Sequence, residues 1–158
     1  MRPVDKLFDV VVTTNSGYPL DQNLYQTVKG MSAAAKIVKP GGTIICAAEC
    51  SDGIPEHGAY REILESRASP RELLEMITSP DYSRPDQWQV QIQAQIQLKA
   101  RVLLKSDCLS AEQIRAAHFE PVDDVSTAVA GTLRRAGPDA SLCILPRGPQ
   151  TIPYLRER

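Results

Sequence analysis

The chain has 158 residues, 42% of them hydrophobic, and its 18 Lys and Arg against 19 Asp and Glu leave a formal charge of −1. A chain of this length can bury a core without disulfides or a structural metal. Near-neutral charge with no basic stripe excludes sequence-independent binding to nucleic acid or to an anionic membrane surface.

The apolar runs are short: Val10–Val12 and Ile44–Ala48 are far below the length of a membrane-spanning helix, and Met1-Arg2-Pro3 opens no signal peptide. The expected location is the cytoplasm. Cys46, Cys50, Cys108 and Cys143 are spaced irregularly, so reduced thiols are expected rather than a disulfide framework. No Cys or His pair completes a zinc-type ligand set, and no metal site is expected.

Phe8–Thr14 is a β-branched run ended by Asn15-Ser16-Gly17 and reads as the buried strand on which the fold begins. Leu24, Val28, Met31, Ala35 and Val38 recur at helical spacing, with Asp21 as candidate N-cap and Pro40-Gly41-Gly42 as the turn that ends the element. Thr43–Ala48 is the next strand, which makes a βαβ unit with parallel strands. A helix over 59–66 follows, then one opened by Ser69-Pro70-Arg71-Glu72, a capping box with proline at the first helical position.

Residues 87–98 alternate polar and apolar, the strand template, but the run is long for a strand and rich in helix-forming Gln, Ala and Leu. Helix is the better reading, with apolar side chains on two sides. Arg101–Lys105 and His118–Val122 read as strands flanking a second capping box at Ser110–Gln113. Asp124–Ala136 is a helix stopped by Gly137-Pro138, and Ser141–Leu145 is the last strand. Residues 1–158 are therefore expected to form a single α/β domain, Rossmann-like, with a mainly parallel sheet of about five strands and helices on both faces.

In open α/β sheets ligands bind beyond the carboxyl ends of the strands. That directs attention to the loop containing Gly17, to the helix after it, and to the loop with Glu49 and Gly53 after the second strand. The helix carries Tyr25, Gln26 and Lys29 on one flank, away from its apolar stripe. A phenol, an amide and an ammonium near a helix N-terminus could bind a small carboxylate. By residue type alone a solvated helix face is the better explanation of them, and loop solvation the better explanation of Glu49. His57 and His118 have no partner at metal-binding or triad spacing, and no GxSxG elbow is present, so no catalytic residue is assigned.

The string Asn15-Ser16-Gly17-Tyr18-Pro19-Leu20-Asp21-Gln22-Asn23-Leu24-Tyr25-Gln26-Thr27-Val28-Lys29-Gly30 strongly resembles the C-terminal domain of the nickel-pincer lactate racemase family. The preceding Asp-Val-Val-Val strand, the Pro-Gly-Gly turn, Glu49-Cys50-Ser51-Asp52-Gly53 and Leu145-Pro146-Arg147-Gly148-Pro149 extend the resemblance from about Phe8 to Pro153. It implies a two-domain enzyme that inverts 2-hydroxy acids by hydride transfer through a keto acid, using a nickel-pincer nucleotide. The catalytic histidines, the tethering lysine and the nickel-binding histidine would lie in an N-terminal domain that this sequence does not contain, so the isolated chain is expected to hold no cofactor and to be inactive.

On that resemblance the substrate-binding residues are Tyr25, Gln26 and Lys29, with Trp88 matching a family tryptophan that faces the same cleft. The face that would meet the N-terminal domain is expected to be exposed and able to self-associate. Two other classes remain. A Rossmann-like nucleotide-binding fragment of methyltransferase type should carry a glycine-rich first turn, where this loop has Gly17 alone. A noncatalytic interaction module should lack a cleft at the strand ends.

Overall fold

A computed structural model describes residues 1–156. Five parallel strands form the central sheet in the order β5-β4-β3-β2-β6: β2 is Phe8–Thr14, β3 Val38–Ala47, β4 Arg101–Lys105, β5 Glu120–Pro121 and β6 Leu142–Leu145. Side chains alternate across a strand, and this sheet is apolar on both faces. Val11, Ile44, Cys46, Val102 and Leu104 enter the larger core under the helices α1 (Leu24–Ala35) and α4 (Gln87–Lys99). Val10, Ile45 and Leu103 point the other way, under α6 (Val125–Ala136). Helices therefore cover both faces, as the continuous hydrophobic strands require.

Between β3 and α4 run α2 (Tyr60–Glu65) and α3 (Pro70–Ile77); α5 (Ala111–Ala116) lies between β4 and β5. Helix ends follow local capping chemistry. Ser69 Oγ accepts from Glu72 N, Ser110 and Gln113 form a reciprocal capping box, and Asp124 Oδ1 accepts from Thr127 N at 2.7 Å.

Several expectations need correction. Asp21 is not the cap of α1; Asn23 is, its Oδ1 accepting from Gln26 N at 3.0 Å, because Asp21 Oδ2 is engaged by Glu49 N at 3.1 Å. Helix α1 ends at Ala35, and Val38 already belongs to β3. Pro40-Gly41-Gly42 is no inter-element turn: it is a bulge inside β3, since Phe8 pairs with Val38 while Val10 pairs with Thr43. The extra residues are tolerated because Gly41 takes φ +77° and a Cβ on Gly42 would sit 2.8 Å from Asp9 O.

The strand expected over 118–122 shrinks to Glu120–Pro121, because His118 adopts φ +62° and bonds Leu64 O through Nε2. Residues 87–98 are helical, but the side turned inward carries Gln89 and Gln93 as well as Val90, Ala94 and Ile96, while Trp88 is about half exposed. The fold does not begin on Phe8. A separate two-stranded parallel sheet joins β1 (Arg2–Val4) to β7 (Pro153–Leu155). No described helix is long and apolar enough to cross a membrane.

Candidate functional site

The loop between β2 and α1 is held from inside. Asn15 is buried; its amide donates to Leu20 O and its Oδ1 accepts from Gly30 N at 2.9 Å, which ties the loop to the middle of the helix it leads into. Ser16 and Gly17 both lie in the left-handed region (φ +69° and +75°), and Gly17 O then accepts from Leu20 N and Asp21 N. The loop after β3 is laced onto the same segment: Cys50 N donates to Asp21 O, Asp52 N to Gln22 O, and Leu24 N to Gly53 O at 3.0 Å. Gly53 thus seats the first turn of α1, and both loops set where that helix starts.

The four substrate-binding candidates, Tyr25, Gln26 and Lys29 on α1 and Trp88 on α4, diverge in environment. Tyr25 is not on a solvated flank. Its ring meets Tyr60 edge-on at 5.2 Å and Trp88 edge-on at 5.9 Å between centroids, a favourable aromatic geometry. Gln89 Nε2 donates to Tyr25 O at 2.7 Å, fixing α4 against α1 at this level. Burial, with Asp86 nearby, pushes the Tyr25 phenol above its usual range, so it stays neutral and able to donate. Lys29 is exposed and donates to Gln26 Oε1 at 2.5 Å.

Lys29 and Trp88 line one groove of about 300 Å³, whose other walls include Ile92, Pro149 and Ile152. Pro149 lies in a 3-10 turn (Gly148–Gln150) packed on α1. Gly17 and Glu49 lie elsewhere, in a cavity of about 380 Å³ at the carboxyl ends of β2, β3 and β4 together with Asp21, Lys105 and Ser106. Lys105 there bonds Asp107 Oδ1 at 2.5 Å. The structure therefore joins Tyr25 with Trp88, Gln26 with Lys29, and Lys29 with Trp88, but places Gly17 and Glu49 in a second, more polar opening. Sequence reasoning missed Asn15 and Gln89, which position α1, and the wall formed by Pro149 and Ile152. A buried Asn between a strand end and a left-handed pair is a readable signal; the wall, brought in by the chain's return past β6, is not.

Among the described residues no group of three or more His, Cys, Asp or Glu side chains could hold a metal ion. The residues singled out in the sequence offer an ammonium, an amide and an apolar wall, a donor set suited to an organic carboxylate.

A profile of the lactate racemase C-terminal domain matches residues 4–152. The chain belongs to the lactate racemase C-terminal domain family. It is 38% identical over 146 residues to the lactate racemase of Thermoanaerobacterium thermosaccharolyticum, a match that covers 91% of this chain and 34% of that protein. It is likewise 38% identical over 142 residues to the lactate racemase of Lactiplantibacillus plantarum, covering 89% and 33%. The chain thus spans about a third of the length of these relatives.

The T. thermosaccharolyticum lactate racemase apoprotein superimposes with a TM-score of 0.84 at 34% identity, over 97% of this chain and 36% of that one. A crystal structure of a Thermotoga maritima protein shares the fold alone, with a TM-score of 0.55 at 12% identity, over 98% of this chain and 39% of that one.

Proposed function

We propose that this chain forms the substrate-facing third of a lactate racemase-like enzyme that inverts C2 of a 2-hydroxy acid, completed by an N-terminal catalytic domain. The chemistry implied for the whole enzyme, hydride removal from C2 and its return to the opposite face, is supplied by a nickel-pincer nucleotide, which we assign to the part of the relatives that this chain does not span. The catalytic histidines are assigned there too. One observation carries this chain's share of the reading: Lys29, its ammonium bonded to Gln26 Oε1, lines a groove together with Trp88.

Lys29 holds the substrate carboxylate by a charge-assisted hydrogen bond. Gln26, already oriented by Lys29, keeps an amide N–H₂ free to donate to a substrate oxygen. Tyr25 and Trp88, packed edge-on, shape the mouth and exclude water. The loops carrying Gly17, Glu49 and Gly53 form the edge on which the N-terminal domain closes. A noncatalytic module is disfavoured by the opening at the strand ends. A nucleotide-binding fragment is disfavoured by a first turn that carries Gly17 as its one glycine and is closed by buried Asn15, bonded to Leu20 O and Gly30 N, where a phosphate loop would be glycine-rich.

The test is a chimera in which residues 1–156 replace the matching third of the L. plantarum lactate racemase. Racemisation of a 2-hydroxy acid is expected, and Lys29→Ala should lower kcat/KM about 10- to 150-fold while changing folding stability by no more than about 0.5 kcal/mol. Near-normal kinetics in that variant would overturn the assignment. The isolated chain should show no turnover, hold no stoichiometric nickel, and associate with itself at high concentration through the face whose edge carries Gly17 and Gly53.

A further inference from the structure

The groove beside Lys29 is built for more than a three-carbon acid. Its volume, about 300 Å³, reaches the lower end of the range of pockets that hold drug-sized ligands, and lactate would leave most of it unfilled. Its walls are apolar: Ala33, Ile92, Pro149, Ile152 and the Trp88 ring. Trp88 and Ile152 are each 51% exposed there, a costly way to leave two large apolar side chains unless something covers them. Two of the neutral polar side chains in the groove are turned to the backbone: Ser32 Oγ donates to Val28 O at 3.0 Å and the Gln89 amide donates to Tyr25 O. Two lysines, Lys29 and Lys36, line the groove, and no carboxylate does.

Resting on the assignment of Lys29 to the substrate carboxylate, we infer that the groove receives the side chain of the substrate, and that the chain is selective for 2-hydroxy monocarboxylates with a branched or aromatic apolar side chain over lactate. Ile92, Pro149 and Ile152 are then specificity determinants. An anion at Lys29 with a hydrocarbon tail along Ile92 and Ile152 matches both the charge and the apolar lining. A dicarboxylate would bring a second charge against the apolar walls, where it would be poorly solvated.

The experiment is an NMR titration of the 158-residue chain with lactate and with 2-hydroxy-4-methylpentanoate, following the Trp88 indole N–H, the Ile92 and Ile152 methyls and the Lys29 side chain. Each buried methylene strengthens binding about fourfold, so the larger acid should bind at least about tenfold more tightly than lactate, moving all four probes. In Ile152→Asp, a change at an exposed position, the two acids should bind within about twofold of each other, with amide signals outside the groove unchanged.

If both acids move Lys29 but bind equally well to the unaltered chain, the selectivity is overturned while Lys29 keeps its role. If neither acid moves Lys29, the carboxylate assignment falls and this inference with it. A larger acid that moves other surfaces and leaves Ile92 and Ile152 still would identify the groove as the seat of a neighbouring domain and also overturn the inference.

Discussion

Gly30 and Gly148 meet without side chains between them: a Cβ built on Gly148 would lie 2.7 Å from Gly30 Cα. This contact presses the 3-10 turn onto α1 and sets the depth of the groove that Lys29 lines. A Cβ on Gly30 would lie 2.6 Å from Thr14 O, which is backbone and cannot step aside. Gly30→Ala should therefore cost about 1–3 kcal/mol from overpacking, despite the roughly 1 kcal/mol that alanine gains over glycine within a helix. Gly131 in α6 has nothing within 4 Å of its would-be Cβ, so Gly131→Ala should stabilise by about 0.5–1 kcal/mol. Urea unfolding of the two variants should show opposite signs.

A second prediction concerns the polar centre of the α1–α4 layer. Tyr60 and Gln93 are fully buried; the phenol donates to Gln93 Oε1 at 2.5 Å and the Gln93 amide donates to Ala117 O at 2.8 Å. Gln93→Leu keeps the volume but leaves the Tyr60 hydroxyl buried without an acceptor, at a cost of about 1–3 kcal/mol. Adding Tyr60→Phe should recover part of that loss. A double-mutant cycle by thermal unfolding reads the coupling, and strictly additive losses would contradict it.

Asp9 gives the acid response a testable component. Lys39, at 2.8 Å, and the backbone and hydroxyl of Ser141 hold its carboxyl well below the usual carboxylate range. A native pKa lowered in this way gives stability that is fully present above the unfolded value of about 3.9 and is lost as pH falls toward the native value. The difference in Tm between the unaltered chain and Asp9→Asn should be largest near neutral pH and shrink steadily below about pH 4. A difference independent of pH would assign the effect to packing.

The thiols should separate by environment. Cys46 and Cys50 are buried, and burial pushes both thiols up; Cys143, partly buried, is raised for the same reason. Thiolate is the reactive form, so at pH 8 a disulfide reagent should modify exposed Cys108 quickly, partly buried Cys143 more slowly, and Cys46 and Cys50 only on unfolding. Cys108→Ser should remove the fast phase and leave the slower ones.

The parts of this fold that are legible in the sequence are those whose cause is local. Ser69-Pro70, Ser110-Gln113 and Asp124 with Gly137 mark helix ends because each side chain or backbone conformation acts within four residues. Asp21 and Asn23 compete for one cap, and what decides between them is Glu49 N, which only the tertiary fold delivers. Gln89 and Gln93 look like surface residues until Tyr25, Tyr60 and Ala117 arrive as partners from other elements. The candidate site divides in the same way. The placing of Tyr25, Gln26 and Lys29 on one helix off its apolar stripe is visible as helix spacing, while the edge-on packing of Trp88 against Tyr25 and the wall of Pro149 and Ile152 depend on how α4 and the return from β6 pack.

The small sheet of β1 and β7 has a mechanical consequence. Its strands run parallel, with Arg2 opposite Pro153 and Val4 opposite Leu155, and Arg2 N to Ile152 O and Arg156 N to Val4 O extend the ladder at either end. Tension applied at residues 1 and 156 pulls the two strands past one another along their length. The rungs are loaded together in shear rather than opened one after another, so a pull on the ends must break this clasp before it reaches the five-stranded sheet and the helix that carries Lys29.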